Sequence, residues 1–223
     1  KILSGDKRSA SRLMRFLDDG NPLAWELLTQ LYPHSNRAQI IGITGNPGSG
    51  KSTLTNQFTK YLRSFNKTVG VIAIDPSSTF TGGAILGDRI RMNSHANDQG
   101  VFIRSIATRN HLGGLSRSTD GAVIIMDAMG YDIIIIETVG VGQDEIDISR
   151  MAHTTVVVFV PGLGDEIQAF KAGIIEIADM FAINKADRPG ADDVMNHLQT
   201  LLLTGQLDEK NFPPIVKTIA TDS

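Results

Sequence analysis

The sequence predicts an α/β domain with a mostly parallel central sheet flanked by helices, preceded by a short helical N-terminal extension. From Ala38 onward, short apolar runs alternate with segments of helical periodicity, a pattern typical of βαβ units. A glycine-rich segment directly follows the first apolar run and opens a helical segment. Before Ala38, apolar residues recur at helical spacing. We therefore assign residues 1–37 to the extension and residues 38–223 to the α/β domain.

The elements follow in order along the chain. Asp18–Pro22 divides the apolar pattern of the extension into two short helices. Beyond it, seven apolar runs have the length of buried strands. They are Ile40–Thr44, Thr68–Ile74, Val101–Ile106, Ile133–Glu137, Thr155–Val160, Met180–Ile183 and Ile215–Thr218.

Composition excludes several classes of protein. With 223 residues, 41% hydrophobic and 20% charged, the chain can form a substantial core, and its composition is not that of a disordered protein. The formal net charge of −3 offers no basic excess for binding nucleic acid or an anionic membrane. The absence of cysteine removes disulfide scaffolds, thiolate metal sites and thiol nucleophiles. Without a membrane-length apolar run or a signal-peptide profile, we expect a cytoplasmic protein.

The segment GNPGSGKS after the first strand is the phosphate-binding loop of P-loop NTPases. Its glycines let backbone N–H groups face a polyphosphate, and the following helix adds its positive dipole end. We expect Lys51 to reach the terminal phosphates and Ser52 to bind Mg²⁺ through its hydroxyl. The predicted nucleotide-binding residues here are Gly45, Asn46, Pro47, Gly48, Ser49, Gly50, Lys51, Ser52 and Thr53.

The segment NKAD, Asn184 to Asp187, follows another apolar strand and is typical of guanine recognition. A carboxylate at Asp187 can accept hydrogen bonds from both donors on the Watson–Crick edge of guanine, and adenine has no such pair. Asn184 and Lys185 belong to the same motif. The sequence therefore favours GTP over ATP.

The strand Ile133–Glu137 ends in an acid, and Gly140 follows three residues later. This spacing predicts a carboxylate near Mg²⁺ and a glycine amide that senses the γ-phosphate. Glu137 could reach the metal directly, act through water or serve as a base. Val141 occupies the position where Ras-like enzymes carry a water-orienting glutamine, so we expect slow intrinsic hydrolysis. Gln143 is a candidate for that role, although an ordinary exposed loop glutamine is the commoner case.

The long segment from Asp75 to Met92 supplies two further acids. Asp75 ends the second strand, and Asp88 follows a glycine-rich stretch. Either carboxylate could approach Mg²⁺ and the attacking water, or simply open a turn and cap a helix.

These segments together resemble the MeaB/ArgK family, P-loop GTPases of the SIMIBI class that act as chaperones for cobalamin-dependent methylmalonyl-CoA mutase. The resemblance runs over nearly the whole chain, and DPSSTFTGGAILGDRIRM is its most family-specific part. It implies GTP hydrolysis with GTP/GDP and Mg²⁺ as ligands. It also implies binding to the mutase, gating of adenosylcobalamin loading and protection of that enzyme from inactivation.

The resemblance also implies site residues. Catalysis would involve Lys51, Glu137, Asp88 and Gln143, and the metal site would comprise Ser52, Asp75, Asp88 and Glu137. The last guanine-contacting segment is a looser match, at Ala220 and Thr221. Relatives continue beyond the point that corresponds to Ser223 into a dimerisation arm, so a homodimer is expected where that arm exists.

Three other functions remain as alternatives. A non-catalytic nucleotide-binding module is disfavoured because Lys51, Ser52 and Glu137 occur together. A nickel metallochaperone of the same GTPase class is disfavoured by the lack of cysteine and of paired histidines at ligand spacing. A transport-associated ATPase or kinase is disfavoured by NKAD, which selects guanine.

Overall fold

The computed structural model describes residues 1–75, 95, 97–107, 117–138, 144–162, 175–204 and 212–221. Seven strands form one sheet in the order β3-β2-β4-β1-β5-β6-β7, and every pair is parallel. The strands are β1 Gln39–Gly45, β2 Val69–Asp75, β3 Val101–Ala107, β4 Ile133–Thr138, β5 Thr154–Phe159, β6 Met180–Asn184 and β7 Ile215–Thr218. The predicted fold class is confirmed, and the seven predicted strands match to within one residue at each end.

Helices cover both faces of the sheet. They are α1 Lys7–Asp18, α2 Pro22–Leu31, α3 Lys51–Ser64, α4 Arg117–Ala128, α5 Asp144–Met151 and α6 Ala191–Thr204. Short 3₁₀ turns occupy Ile2–Ser4 and Tyr32–His34. In the described parts of the chain, none of these helices is both long and apolar enough to cross a membrane.

Alternate residues of the central strands enter different cores. Ile134 and Ile136 of β4 pack with α1, α2 and α4 on one face, whereas Ile135 packs with α3 on the other. Strands of a parallel sheet are covered on both faces, which explains why the isoleucine run 133–136 is apolar without alternation. All the strands end at one edge of the sheet, where ligands bind in folds of this kind.

The two predicted helices of the extension are present, and each begins at a side-chain cap. Asp6 accepts a hydrogen bond from the Arg8 backbone N–H, and Asn21 accepts one from Leu23 N–H. These caps satisfy backbone donors that the first turn of a helix leaves unpaired. The interval between the helices is therefore set by local sequence, as the break at Asp18–Pro22 predicts.

Helix α4 holds the extension against the sheet. A Cβ on Gly121 would lie 2.6 Å from Leu17 Cδ1 of α1, so a larger residue would force the Leu17 side chain to shift. Leu17 of α1 and Leu28 of α2 belong to the same buried cluster as Ile134 and Ile136 of the sheet. The extension and the α/β domain thus share one core, although the predicted boundary at residue 37 is not itself tested by that packing.

The Asp127 carboxylate fixes the entry of the chain into β1. It accepts hydrogen bonds from the backbone N–H groups of Asn36, Arg37 and Ala38 at 2.6 to 3.3 Å, and its residue is only 4% exposed. Asn36 has a φ of +77°, in the left-handed region where asparagine is among the better tolerated residues. A buried carboxylate bound by three N–H groups is a strong local constraint.

We expect Asp127→Ala to lower the free energy of unfolding by about 2 kcal/mol, because three backbone N–H donors, one of them buried, lose their acceptor. Urea denaturation followed by circular dichroism measures this. The control Asp193→Ala removes an exposed carboxylate from α6 and is expected to change stability by less than about 1 kcal/mol. Equal effects of the two substitutions would contradict the role given to Asp127.

Candidate functional site

The loop Gly45–Gly50 connects β1 to α3 at the carboxyl edge of the sheet, as the phosphate-binding motif predicts. Gly45 has a φ of +135° and Gly50 a φ of +88°. A Cβ at Gly45 would collide with the Val158 carbonyl oxygen, and one at Gly50 would collide with the Asn184 amide nitrogen. Both glycines are therefore required by backbone conformation and by close neighbours.

The Lys51 side chain turns back into the phosphate-binding loop that precedes it in the chain. Its Nζ donates hydrogen bonds to the carbonyl oxygens of Gly45 at 2.6 Å and Asn46 at 2.8 Å, and the residue is 5% exposed. The ammonium group is therefore held where the loop backbone turns, at the N-terminal end of α3. This is the position from which a lysine can contact phosphate oxygens bound by the loop.

Ser52 and Glu137 meet beneath the loop. The Ser52 hydroxyl donates to Glu137 Oε1 at 2.5 Å, and Glu137 is 1% exposed. Pairing of β1 with β4 sets this contact, because Ile43 lies opposite Glu137 in the register. A hydroxyl and a carboxylate are oxygen donors of the kind Mg²⁺ prefers, so the residues present fit that ion.

Asn184 joins three segments of the site. Its amide Nδ2 donates to the Ser49 carbonyl oxygen of the phosphate-binding loop at 2.8 Å. Its Oδ1 accepts from the Thr218 hydroxyl at 3.2 Å and from the Ala220 backbone N–H at 3.3 Å. The side chain is 1% exposed, so these hydrogen bonds form away from solvent.

The remaining residues of the NKAD segment continue toward the surface. Lys185 has a φ of +56°, and its Nζ donates to the Gly48 carbonyl oxygen at 2.7 Å. Ala186 N–H donates to the Thr218 carbonyl oxygen at 3.1 Å. Asp187 is exposed. The structure thus brings the phosphate loop, the NKAD segment and the residues after β7 together, with Thr221 exposed at the end of this group.

A contact that the sequence analysis missed links the bases of two loops. The Thr138 hydroxyl at the end of β4 donates to the Thr44 hydroxyl of β1 at 3.0 Å, and both residues are almost fully buried. Thr218 lies at the strand end that leads into the predicted last guanine-contacting segment, and its hydroxyl bond to Asn184 is a second contact that the sequence does not predict. The sequence signal for these contacts is a threonine next to each predicted motif. The position of that threonine in the sequence does not indicate which residue it will contact.

Several predicted site residues cannot be placed. Asp88, Gly140 and Gln143 lie outside the described residues, and Asp75 is placed only as the last residue of β2. The catalytic, metal and guanine roles assigned from sequence stay predictions. Among the described residues, no cluster of three or more histidine or acidic side chains has the arrangement of a metal site.

Residues 11–223 match the family described as methylmalonyl Co-A mutase-associated GTPase MeaB. The chain belongs to this family. It is a P-loop GTPase, and the predicted MeaB/ArgK resemblance is confirmed together with the GTPase activity.

Individual relatives agree with the MeaB assignment. A GTPase of Pyrococcus abyssi is 50% identical over 227 residues, which cover 99% of this chain and 69% of that protein. GTPase ArgK of Escherichia coli is 38% identical over 191 residues, which cover 84% of this chain and 58% of ArgK. The crystal structure of a protein named LAO/AO transport system kinase superposes with a TM-score of 0.76 at 26% identity, covering 99% of this chain and 67% of that one.

We expect Lys51→Ala to reduce GTP turnover by about 10²–10³-fold, since the variant loses the cation placed inside the phosphate loop. Phosphate release measures turnover, and circular dichroism checks that the fold persists. Lys60→Ala, which removes an exposed lysine from the same helix, is expected to retain full turnover. Near-normal turnover of Lys51→Ala would contradict the assignment of the loop.

We expect Asp187→Asn to weaken GTP binding about a hundredfold and to improve binding of xanthosine triphosphate. The amide presents one donor and one acceptor, which suit xanthine, and two charge-assisted hydrogen bonds to guanine are lost. Titration with fluorescent nucleotides measures both affinities, with Asp193→Asn as the exposed control on α6. Unchanged GTP affinity would show that Asp187 does not bind the base.

Proposed function

We propose that this GTPase is a chaperone of methylmalonyl-CoA mutase or a related cobalamin-dependent mutase, which gates adenosylcobalamin loading and protects the enzyme from inactivation. The observation that carries the proposal is the match of residues 11–223 to a family of GTPases associated with that mutase. The family description supports the partnership. The gating and protective roles and a homodimer rest on the resemblance alone, and a cytoplasmic location rests on the hydropathy profile of the sequence.

GTP would be held by two groups that the structure brings together. The phosphate loop would bind the phosphates through its backbone N–H groups and Lys51, while Asp187 would read the guanine. Asn184 supports this assignment, since its hydrogen bonds to Ser49 and Ala220 hold the phosphate-binding loop and the guanine-binding segments at a fixed distance from each other. We infer that the base and the phosphates are recognised as one rigid unit.

Mg²⁺ would be held by Ser52 and Glu137, joined by Asp75 and Asp88 according to the family resemblance. When bound, the ion neutralises charge on the β- and γ-phosphates. Glu137 keeps the Ser52 hydroxyl oriented at the start of α3. Lys51 stabilises negative charge that develops on the phosphate during hydrolysis.

Coupling to the mutase would begin where β4 ends. Thr138 is tied to Thr44 directly before Gly45, and the sequence from residue 139 carries the predicted γ-phosphate sensor Gly140. Helix α5 begins shortly afterwards at Asp144. A change of phosphate state in this part of the site would therefore act on residues close to a surface helix, as in other GTPases with ordered and released switch segments.

Because Val141 fills the position of the water-orienting glutamine, we expect the isolated protein to hydrolyse GTP well below about 1 s⁻¹. Purified methylmalonyl-CoA mutase is expected to raise this rate, and its affinity is expected to differ between the GTP and GDP states. Steady-state phosphate release and nucleotide-dependent binding measure these effects. Gln143→Ala is compared with Gln199→Ala, which alters an exposed glutamine of α6.

Two results separate the parts of this proposal. If the mutase neither binds in any nucleotide state nor changes the rate, the chaperone function is wrong. If the mutase stimulates both variants equally, the partnership stands and Gln143 has no catalytic role.

A further inference from the structure

The first two helices leave an apolar groove on the surface of the protein. It has a volume of about 360 Å³ and lies between the 3₁₀ turn Ile2–Ser4, α1 and α2. Six of its lining side chains are aliphatic or aromatic, namely Ile2, Leu3, Leu13, Phe16, Leu27 and Leu31. Nothing in the nucleotide site described above involves these residues.

Two lining residues of the groove, Leu13 of α1 and Leu31 of α2, are buried in the core shared with α4. By contrast, Leu3 is 51% exposed, Phe16 41% and Leu27 47%. Large apolar side chains gathered on one exposed face mark interaction sites more often than isolated exposed leucines do.

The two charged side chains that line the groove are cations, and an acid, Asp6, adjoins it by accepting a hydrogen bond from the lining residue Ser9 at 2.6 Å. Lys1 and Arg12 are among the lining residues, and the lining contains no acid. Arg15, one turn beyond Arg12, pairs with Asp19 at 3.7 Å. The chain as a whole carries a net charge of −3, so this cationic border differs from the average surface. It complements a ligand with anionic groups beside an apolar face.

Two adjoining helices form a groove into which an amphipathic helix can lay apolar side chains at positions i, i+3, i+4 and i+7. A symmetric contact between two copies of the groove would instead bring two sets of cations together. We propose that the groove binds an amphipathic helix of a partner protein, with leucine-like residues on one face and acidic residues flanking that face.

Fluorescence anisotropy with labelled peptides tests the proposal on the full GDP-bound chain. One peptide of about 18 residues, or five helical turns, carries leucine at i, i+3, i+4 and i+7 with flanking glutamates, and a second has lysines in their place. We expect saturable binding of the glutamate peptide, with at least tenfold weaker binding of the lysine peptide. Leu27→Ser is expected to weaken glutamate-peptide binding about tenfold or more.

Arg12→Glu is expected to reduce binding of the glutamate peptide and to improve binding of the lysine peptide. Leu203→Ser is the matched control, because Leu203 is 50% exposed on α6, and this variant is expected to bind like the unaltered chain. Circular dichroism and GTP turnover should be unchanged in all three variants.

Failure of both peptides to bind would overturn the proposal, as would equal binding of the two peptides that Arg12→Glu leaves unaltered. Sedimentation of the chain provides a separate outcome. A dimer that Leu27→Ser dissociates would assign the groove to a second copy of the chain and also overturn it. These outcomes are independent of mutase binding, so they do not decide the chaperone function.

Discussion

The nucleotide site depends on the buried amide of Asn184. One side chain bonds to the phosphate loop through Ser49 and to the end of the sheet through Thr218 and Ala220. Gly50 is held close to the same amide, so a larger residue there would displace it. Segments separated by more than a hundred residues in sequence are thereby fixed relative to each other.

The second constraint is the pairing of β1 with β4. This pairing places Glu137 beside β1, which leads into the phosphate loop, and it places Thr138 beside Thr44. Glu137, Thr138 and Thr44 stand at the ends of buried strands, and Ser52, the partner of Glu137, stands at the start of α3. Groups mounted on such strands keep their geometry better than groups on surface segments, which favours chemistry that depends on position.

The strands and the phosphate loop could be predicted because their signals are local. Ile133–Ile136 is apolar throughout since both faces of the strand are covered, and the glycine pattern of residues 45–50 reflects backbone angles that other residues avoid. The hydrogen bonds of Asp127 to residues 36–38 and the Thr44–Thr138 contact could not be predicted in this way. Each joins residues about ninety positions apart, and the hydrophobic pattern around either residue does not indicate which residue it will contact. Packing of the sheet alone brings them together.

The shared core has a consequence for shortened forms of the protein. A chain starting at Ala38 would lack the partners of Gly121 and would uncover the face of α4 that α1 and α2 now bury. Asp127 would lose two of its three backbone N–H donors, those of Asn36 and Arg37. Such a truncation would expose contiguous aliphatic surface beside an under-satisfied carboxylate, a combination that promotes aggregation. The first 37 residues therefore form part of the core on which the nucleotide-binding part of the chain depends. A fragment without them would not be expected to fold and hydrolyse GTP on its own.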